Sequence, residues 1–281
     1  MVFARSADAK LYYESTGSGQ PVLLISGLGM AATTWWRTIP VLAQGLRVLS
    51  FDNRGVGRSD VTRGPYSLEQ MADDALAVLD AAGEESAHVY GISMGGMIAQ
   101  TLALRHPERV RALVLGASTA GGPRHQLADD ATLEFLKRRS SMPPEEAVWA
   151  AVPYNYGKAT RERRADRIGE DVVHRLRYPI TPAGYEAQLA AAWGHDTSHR
   201  LGWIAAPTLV VHGSDDRLVP VANGVRLAEG IRGARLKIVR GAGHLYATDD
   251  PRIDRQILRF LTTAATPPAS RLRDTVRANR A

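Results

Sequence analysis

Short apolar runs alternate with amphipathic segments over the first 120 residues of the chain. The run at 22–25 is uninterrupted, as in a strand that is buried on both faces. Residues 68–82 instead place apolar side chains three and four positions apart, which is helical spacing, and Gly83 follows them. This alternation predicts an α/β fold with a mostly parallel central sheet and helices on both faces. The predicted strands are 11–14, 22–25, 48–51, 88–92, 110–115, 208–212 and 236–239, and the predicted helices are 68–82, 94–104, 221–229 and 253–261.

The pattern changes between residues 121 and 205, where no comparable strand run occurs. Helical, polar segments separated by prolines occupy this stretch, and it contains three of the five tryptophans. The strand pattern resumes at 208. We therefore predict an α/β core formed by 1–120 and 206–264, an inserted helical cap at 121–205, and a basic C-terminal tail at 265–281.

The composition is that of a soluble globular protein, with 44% hydrophobic and 23% charged residues. The chain has no cysteine, so disulfides and thiolate metal sites are excluded, and we predict no metal. The formal net charge is +6, but many arginines stand beside acids and no nucleic-acid-binding motif is present, so we expect no nucleic-acid partner. No signal-peptide pattern and no bilayer-length apolar run is seen. We expect a cytoplasmic protein that does not bind membranes; a homo-oligomer stays open.

The pentapeptide 91–95 matches G-x-S-x-G, and it follows a predicted strand and opens a predicted helix. In that context the motif predicts a nucleophile elbow, which lifts the Ser93 hydroxyl clear of the sheet. Glycines on either side leave room for the tight turn. One oxyanion donor is then expected from the backbone N–H of Met94, and a second from the loop after strand 22–25.

A serine hydroxyl needs a base, usually a histidine oriented by a carboxylate. His244 follows one predicted strand in a loop of small residues, and Asp215 and Asp216 follow another. The chain order serine, acid, histidine is the one used with this elbow, and all of these residues lie at strand carboxyl ends. Spacing alone leaves Asp215 and Asp216 both open as the acid.

Outside the middle segment, the chain resembles the α/β-hydrolase superfamily, especially its small esterase, enol-lactonase and cofactor-free haloperoxidase branch. The segments that carry the resemblance are Ser26-Gly27-Leu28-Gly29, Asp52-Asn53-Arg54-Gly55-Val56-Gly57-Arg58-Ser59, Gly91-Ile92-Ser93-Met94-Gly95-Gly96, His212-Gly213-Ser214-Asp215-Asp216-Arg217-Leu218-Val219-Pro220 and Gly241-Ala242-Gly243-His244.

This resemblance implies an α/β-hydrolase fold, no cofactor, and a catalytic triad of Ser93, Asp216 and His244. Asp216 is the acid because it occupies the family position in G-x-x-D-x-x-x-P. Leu28 is the second oxyanion donor by the same resemblance. Family members usually carry histidine where this chain has Ser26. This difference affects how the loop is supported more than it affects the donor, because the donor is a backbone N–H.

We predict an apolar pocket of small to medium size, because apolar and aromatic residues occur in the catalytic loops and the cap. The predicted substrate contacts are Met30, Trp35, Trp149, Tyr154, Trp193 and Leu245. His195 and His199 have the spacing of a metal pair, but without a third acidic ligand we expect a surface pair.

The predicted function is a serine hydrolase that cleaves a small-molecule carboxylic ester or lactone through an acyl-enzyme. Serine at the elbow disfavours epoxide hydrolases and haloalkane dehalogenases, whose similar elbows carry aspartate. A carbon–carbon bond hydrolase, a perhydrolase and a non-catalytic binding protein of the same fold are the alternatives.

Overall fold

The computed structural model describes residues 1–264, which contain one eight-stranded sheet. Its strands are β1 (Val2–Ser6), β2 (Ala9–Thr16), β3 (Gln20–Ile25), β4 (Leu46–Phe51), β5 (Ala87–Ile92), β6 (Val110–Gly116), β7 (Thr208–Gly213) and β8 (Arg235–Val239). The strand order is β1-β2-β4-β3-β5-β6-β7-β8. The pairs β1–β2 and β2–β4 are antiparallel, and the strands from β4 to β8 in that order are parallel.

Helices connect the strands and fill the long segment between β6 and β7. They are α1 (Thr38–Leu42), α2 (Leu68–Ala81), α3 (Met94–Arg105), α4 (Asp130–Arg138), α5 (Pro144–Ala150), α6 (Val152–Asn155), α7 (Lys158–Arg163), α8 (Ala165–Leu176), α9 (Pro182–Trp193), α10 (Val221–Gly230), α11 (Tyr246–Asp249) and α12 (Arg252–Thr263). Short 3-10 turns occur as well, one of them at Ala32–Trp35.

Two hydrophobic clusters lie on opposite faces of the sheet. Successive side chains of β3 enter them alternately, Leu23 and Ile25 in one and Val22 and Leu24 in the other. Helices α2 and α3 contribute to the first cluster, and α1 and α12 to the second. Because both faces are covered, the central strands are apolar without interruption, which is the pattern seen in the sequence.

The structure confirms the predicted α/β fold with its mostly parallel sheet. Strand β1 is a finding that periodicity did not predict; it pairs only with β2 at the sheet edge, so much of it is exposed. Between β6 and β7 the chain adds no strand to the sheet and forms α4 to α9. We refer to residues 121–205 as the inserted segment; their status as a separate cap stays a prediction.

The predicted basic tail at 265–281 lies outside the described residues. Among residues 1–264, no helix is both long enough and apolar enough to cross a membrane.

A buried ion pair joins the loop after β4 to α2. Arg54 Nε lies 2.5 Å from Asp74 Oδ2, and Arg54 Nη2 lies 2.6 Å from Asp74 Oδ1. Both side chains are inaccessible to solvent, at 0% and 1% exposure. A second contact, from Arg54 Nη1 to Asp8, is half-exposed. Removing one member of such a pair leaves the other charge buried.

We expect Asp74→Asn to lower the free energy of unfolding by about 3–5 kcal/mol, because Arg54 would lose its buried counter-charge. Urea titration measures this. The matched control is Asp73→Asn on the same helix, whose pair with Arg105 is exposed, and about 0–1 kcal/mol is expected there. An equal loss of unfolding free energy in the two variants would contradict the conclusion that the buried Arg54–Asp74 pair matters more for stability than the exposed one.

Asp254 on α12 is buried with a single partner. The Thr38 hydroxyl donates to its Oδ2 at 3.1 Å, and its Oδ1 has no hydrogen-bond partner among the described residues. Burial raises the pKa of Asp254 to about 6, while the hydrogen bond from Thr38 lowers it by less. The folded-state pKa therefore lies above the unfolded value of about 3.9, so stability is lost as the pH rises through about 6.

Asp254→Asn should raise the free energy of unfolding at pH 8 by about 2–3 kcal/mol, because it removes a buried charge, and should change it little at pH 4. Urea titrations at the two pH values provide the comparison. The control Asp250→Asn removes a carboxylate whose pKa is lowered, chiefly by its hydrogen bond with Arg252, so it should give no gain at pH 8. A gain at pH 4 as large as that at pH 8 would rule out the titration of Asp254 as the cause.

Candidate active site

Ser93 occupies the sharp turn between β5 and α3. Its backbone has φ 57° and ψ −123°, a conformation that non-glycine residues rarely adopt. The Ser93 N–H donates to the Gly116 carbonyl at 2.8 Å, and the Ser118 hydroxyl donates to the Ser93 carbonyl at 2.8 Å. These bonds from β6 and the loop after it hold the strained turn in place.

The glycines around Ser93 are required by close backbone packing. A side chain on Gly91 would collide with the Gly95 backbone, and one on Gly95 would collide with the Ile25 backbone. Gly27 approaches from the other side, where an added Cβ would lie 3.2 Å from the Ser93 Cβ. The elbow and the loop after β3 therefore touch only because both lack side chains at these points.

Asp216 and His244 form a buried hydrogen-bonded pair at the carboxyl ends of β7 and β8. His244 Nδ1 lies 2.8 Å from Asp216 Oδ2, and the two side chains are 3% and 0% exposed. Asp215, the other acid in this loop, is exposed and accepts a hydrogen bond from the neighbouring Ser214 hydroxyl. Of the two acids left open by spacing, Asp216 is the one that contacts His244.

The surroundings of Asp216 favour its ionised form. Its Oδ1 accepts hydrogen bonds from the N–H groups of Leu218 and Val219, both at 2.9 Å. Burial alone would raise the pKa of Asp216, but His244 and His212 outweigh it through their charges and hydrogen bonds. The pKa falls to about 2 as a result.

His212 is a contact of the site that sequence analysis missed. It is fully buried on β7, and its Nε2 lies 3.3 Å from Asp216 Oδ2 and 2.8 Å from the Val219 carbonyl oxygen. Sequence position marked it only as a strand histidine. The available signal was its spacing four residues before Asp216, which becomes a contact only through the turn after β7.

The inserted segment supports the loop that carries His244. The N–H of Leu245 donates to the Asn155 carbonyl at 2.8 Å. Asp249 Oδ2 accepts from the N–H groups of Gly243, at 2.7 Å, and Gly157, at 3.0 Å. The position of His244 is therefore set by two parts of the chain that are far apart in sequence.

The loop after β3 is held from three directions. Trp35 Nε1 donates to the Ser26 hydroxyl at 2.9 Å, and Asn53 Nδ2 donates to the Ser26 carbonyl at 3.0 Å. The N–H of Gly29 donates to Gln188 Oε1 at 2.8 Å, so α9 of the inserted segment also contacts this loop. The Ser26 hydroxyl and carbonyl thus both accept hydrogen bonds that help to hold this loop.

A cavity of about 500 Å³ contains both Ser93 and His244 in its wall. Of the predicted site residues, Leu28, Met30, Met94, Trp193 and Leu245 also line it. Apolar residues of the inserted segment, among them Leu136 and Leu189, complete one side. The cavity therefore brings together the elbow, the histidine loop, the loop after β3 and the inserted segment.

Three predicted substrate contacts do not line this cavity. Trp35 packs against Tyr90 and borders a separate cavity of about 50 Å³. Trp149 is 48% exposed, and Tyr154 stacks on Phe135 with ring centroids 4.6 Å apart. Of the aromatic residues predicted as contacts, only Trp193 lines the cavity, because aromatic composition does not show which way each ring points.

The expectation of a surface pair at His195 and His199 is wrong for His195. His199 is exposed, but His195 is buried and lines the cavity, and burial is the chief cause that lowers its pKa to about 4. Within residues 1–264, no group of three or more His, Asp or Glu side chains is arranged to hold a metal ion.

Comparison with known proteins gives consistent matches along most of the chain. A candidate carbamate hydrolase, RutD, from Variovorax paradoxus is 34% identical over 263 residues, which is 92% of this chain and 98% of that protein. A candidate non-heme bromoperoxidase, BpoC, from Mycobacterium tuberculosis is 31% identical over 90% of this chain and 98% of its own length.

Among solved structures, the enol-lactonase from Burkholderia xenovorans LB400 matches with a TM-score of 0.82 and 25% identity. The match covers 93% of this chain and 100% of that one. The family model for the alpha/beta hydrolase fold matches residues 20–251. The chain therefore belongs to the alpha/beta hydrolase family, as its sequence motifs indicate.

Proposed function

We propose that this protein is a serine hydrolase that cleaves a small carboxylic ester or lactone through an acyl-enzyme. The observation that carries the proposal is the buried Asp216–His244 hydrogen bond at the wall of the cavity that Ser93 also lines. The fold and the family membership support hydrolysis. The name of the enol-lactonase supports an ester or lactone as the group that is cleaved.

In the proposed mechanism, the Ser93 oxygen attacks the substrate carbonyl while His244 Nε2 takes its proton. Asp216 accepts the hydrogen bond from Nδ1–H, which fixes the tautomer that leaves Nε2 free to act, and it stabilises the imidazolium that forms. The ester C–O bond then breaks, and His244 protonates the leaving alkoxide. Water, deprotonated by His244, then attacks the acyl carbonyl. The bond from the acyl carbon to the Ser93 oxygen breaks, His244 returns the proton to that oxygen, and the acid is released.

Two backbone N–H groups are proposed to stabilise the oxyanion. Met94 is the first residue of α3, so its N–H has no carbonyl one turn earlier in the helix to bind. Leu28 lies in the loop after β3, where the N–H groups of Gly29 and Met30 already donate to Gln188 and to the Gly27 carbonyl. Leu28 and Met94 both line the cavity beside Ser93, which supports this assignment.

Carbamate cleavage is the second candidate, since the relative that is 34% identical is named for it. It uses the same nucleophile and base, with an amine nitrogen or an oxygen as the leaving atom. Carbon–carbon bond hydrolysis and perhydrolysis share these residues as well. A panel of esters, lactones and carbamates assayed with one enzyme preparation ranks these activities directly.

Ser93→Ala should lower kcat for a short-chain chromogenic ester by about 1,000-fold or more, because no nucleophile remains to form the acyl-enzyme. Far-ultraviolet circular dichroism checks the fold of the variant. An organophosphorus reagent should label the wild-type protein once, with mass spectrometry locating the adduct on Ser93. Ester hydrolysis retained by Ser93→Ala, or labelling at another serine, would contradict the proposal.

Asp216→Asn should lower kcat by about 1,000- to 10,000-fold, because the amide favours the wrong histidine tautomer and cannot stabilise the imidazolium. With its pKa at about 2, Asp216 is ionised across the pH range from 4 to 9, so the loss should persist throughout that range. The matched control is Asp215→Asn, expected to retain near-wild-type kcat because its side chain is exposed. The two variants behaving alike would argue against Asp216 as the acid.

A further inference from the structure

The cavity that contains Ser93 carries three cationic side chains and no acidic one. Lys137, Arg139 and Arg175 line it, and no Asp or Glu is among the lining residues of the described chain. Arg139 and Arg175 also line an adjoining cavity of about 100 Å³, whose described lining again has no acid. The two guanidinium groups therefore lie at the boundary between two cavities whose described lining has no carboxylate. Arg175 also borders the cavity of about 50 Å³, where the lining includes one carboxylate, Asp171.

Arg175 is buried, with 8% exposure, and it forms no ion pair within residues 1–264. Asp171 lies one helical turn earlier on α8, but its oxygens already accept from other groups. Its Oδ1 atom accepts hydrogen bonds from Trp36 Nε1 and Arg37 Nε, both at 3.1 Å. Its Oδ2 atom accepts hydrogen bonds from the Tyr156 hydroxyl at 3.2 Å and the Thr248 hydroxyl at 2.6 Å. The carboxylate nearest in sequence to Arg175 therefore already accepts hydrogen bonds from the residues after the 3-10 turn Ala32–Trp35, from the residue after α6 and from α11.

Arg139 is half-buried and likewise has no ion pair in the described part of the chain. Its guanidinium lies over the Tyr185 ring, 5.2 Å from the centroid. Burial and, to a smaller extent, the charge of Arg175 lower the pKa of Arg139 to about 10, against a smaller opposing effect of Tyr185. Two like charges are thus held close together in a poorly solvated place, which is unfavourable without an anion.

The loop after β3 connects this arginine pair to the nucleophile. A Cβ added to Gly29 would lie 3.7 Å from Arg139 Nη2, and one added to Gly27 would lie 3.2 Å from the Ser93 Cβ. The Cα atoms of these two glycines are at most about 7 Å apart, because only one residue separates them. A small molecule with its carbonyl at Ser93 can therefore reach the arginines with its other end.

We infer that the substrate carries a carboxylate, which Arg139 and Arg175 bind while its ester or lactone carbonyl lies at Ser93. This inference rests on the proposed function and adds the chemical class of its substrate. Guanidinium groups bind carboxylates through two parallel hydrogen bonds, which would fix the orientation of the substrate as well as its charge. The other walls are largely apolar, so a singly charged group is favoured over a phosphate dianion, whose desolvation costs more.

Hemi-esters of dicarboxylic acids test the inference directly. Monomethyl succinate, glutarate and adipate carry a methyl ester at one end and a carboxylate at increasing distance. In methyl pentanoate, a methyl group replaces the carboxylate of the glutarate compound. With methanol release as the assay, wild-type kcat/KM should be at least about tenfold higher for the best hemi-ester than for its neutral counterpart.

Arg139→Gln and Arg175→Gln should each lower kcat/KM for the best hemi-ester by about 10- to 100-fold, mainly through a higher KM. The same variants should hydrolyse methyl pentanoate within about threefold of wild type, because that ester makes no contact with the charge. Arg139→Lys should recover part of the loss. The matched controls are Arg138→Gln and Arg177→Gln, which remove exposed arginines next to each site and should change neither activity.

Binding without turnover gives a second measurement. Glutarate should inhibit methyl pentanoate hydrolysis competitively, and calorimetry should detect its binding to the wild type but not to either glutamine variant. Inorganic phosphate should inhibit less than glutarate, and stronger inhibition by phosphate would overturn the assignment to a carboxylate. Urea titration of the variants should show no loss of stability, because each substitution removes a positive charge that has no ion-pair partner in the described part of the chain.

The outcomes separate this inference from the proposed function. Hydrolysis of methyl pentanoate without preference for any hemi-ester, and without glutarate binding, would overturn the carboxylate inference and leave the serine hydrolase proposal intact. Hydrolysis of neither ester by the wild type would count against the proposed function. In that case, glutarate binding that depends on Arg139 and Arg175 would still support the anion site, and its absence would refute it.

Discussion

The strained backbone at Ser93 is the constraint on which the rest of the site depends. A residue with φ 57° and ψ −123° stays there only if its surroundings fix it, at a cost of about 1–3 kcal/mol. Here the N–H and carbonyl of Ser93 are bound from β6 and the loop after it, and glycines let β3 and its loop pack directly against the turn. The sheet thus supplies the stability that exposes one hydroxyl at its carboxyl edge.

The same sheet edge explains why Asp216 and His244 meet. They follow adjacent parallel strands, β7 and β8, so their loops leave the sheet side by side. The carboxylate is then surrounded by donors, namely two backbone N–H groups and two histidines, which keep it ionised despite full burial. An ionised acid behind a histidine is the electrostatic arrangement that the proposed proton transfer requires.

The inserted segment does more than cover the cavity. Asn155 binds the backbone of the histidine loop, and Gln188 binds the loop that carries the proposed oxyanion donor. Arg139 and Arg175 of the same segment add positive charge to the wall of the cavity. Substitutions in this segment can therefore alter both the geometry of the proposed chemistry and the charge that a substrate meets.

The sequence by itself determined the fold class, the order of the central strands and helices, and the loops that carry Ser93, Asp216 and His244. It could do so because buried strands, helical faces and tight glycine turns each impose a local residue pattern, and because the motifs are contiguous. Spacing left two acids open and the family resemblance implied Asp216, but only the tertiary structure shows that Asp216 contacts His244 and that His212 joins them. It also decided that Trp35, Trp149 and Tyr154 lie outside the cavity while His195 lines it. It alone brought Arg139 and Arg175 together, with no ion pair to either of them among the described residues. These contacts join residues distant in sequence or depend on the rotation of a helix, and neither is encoded in a local pattern.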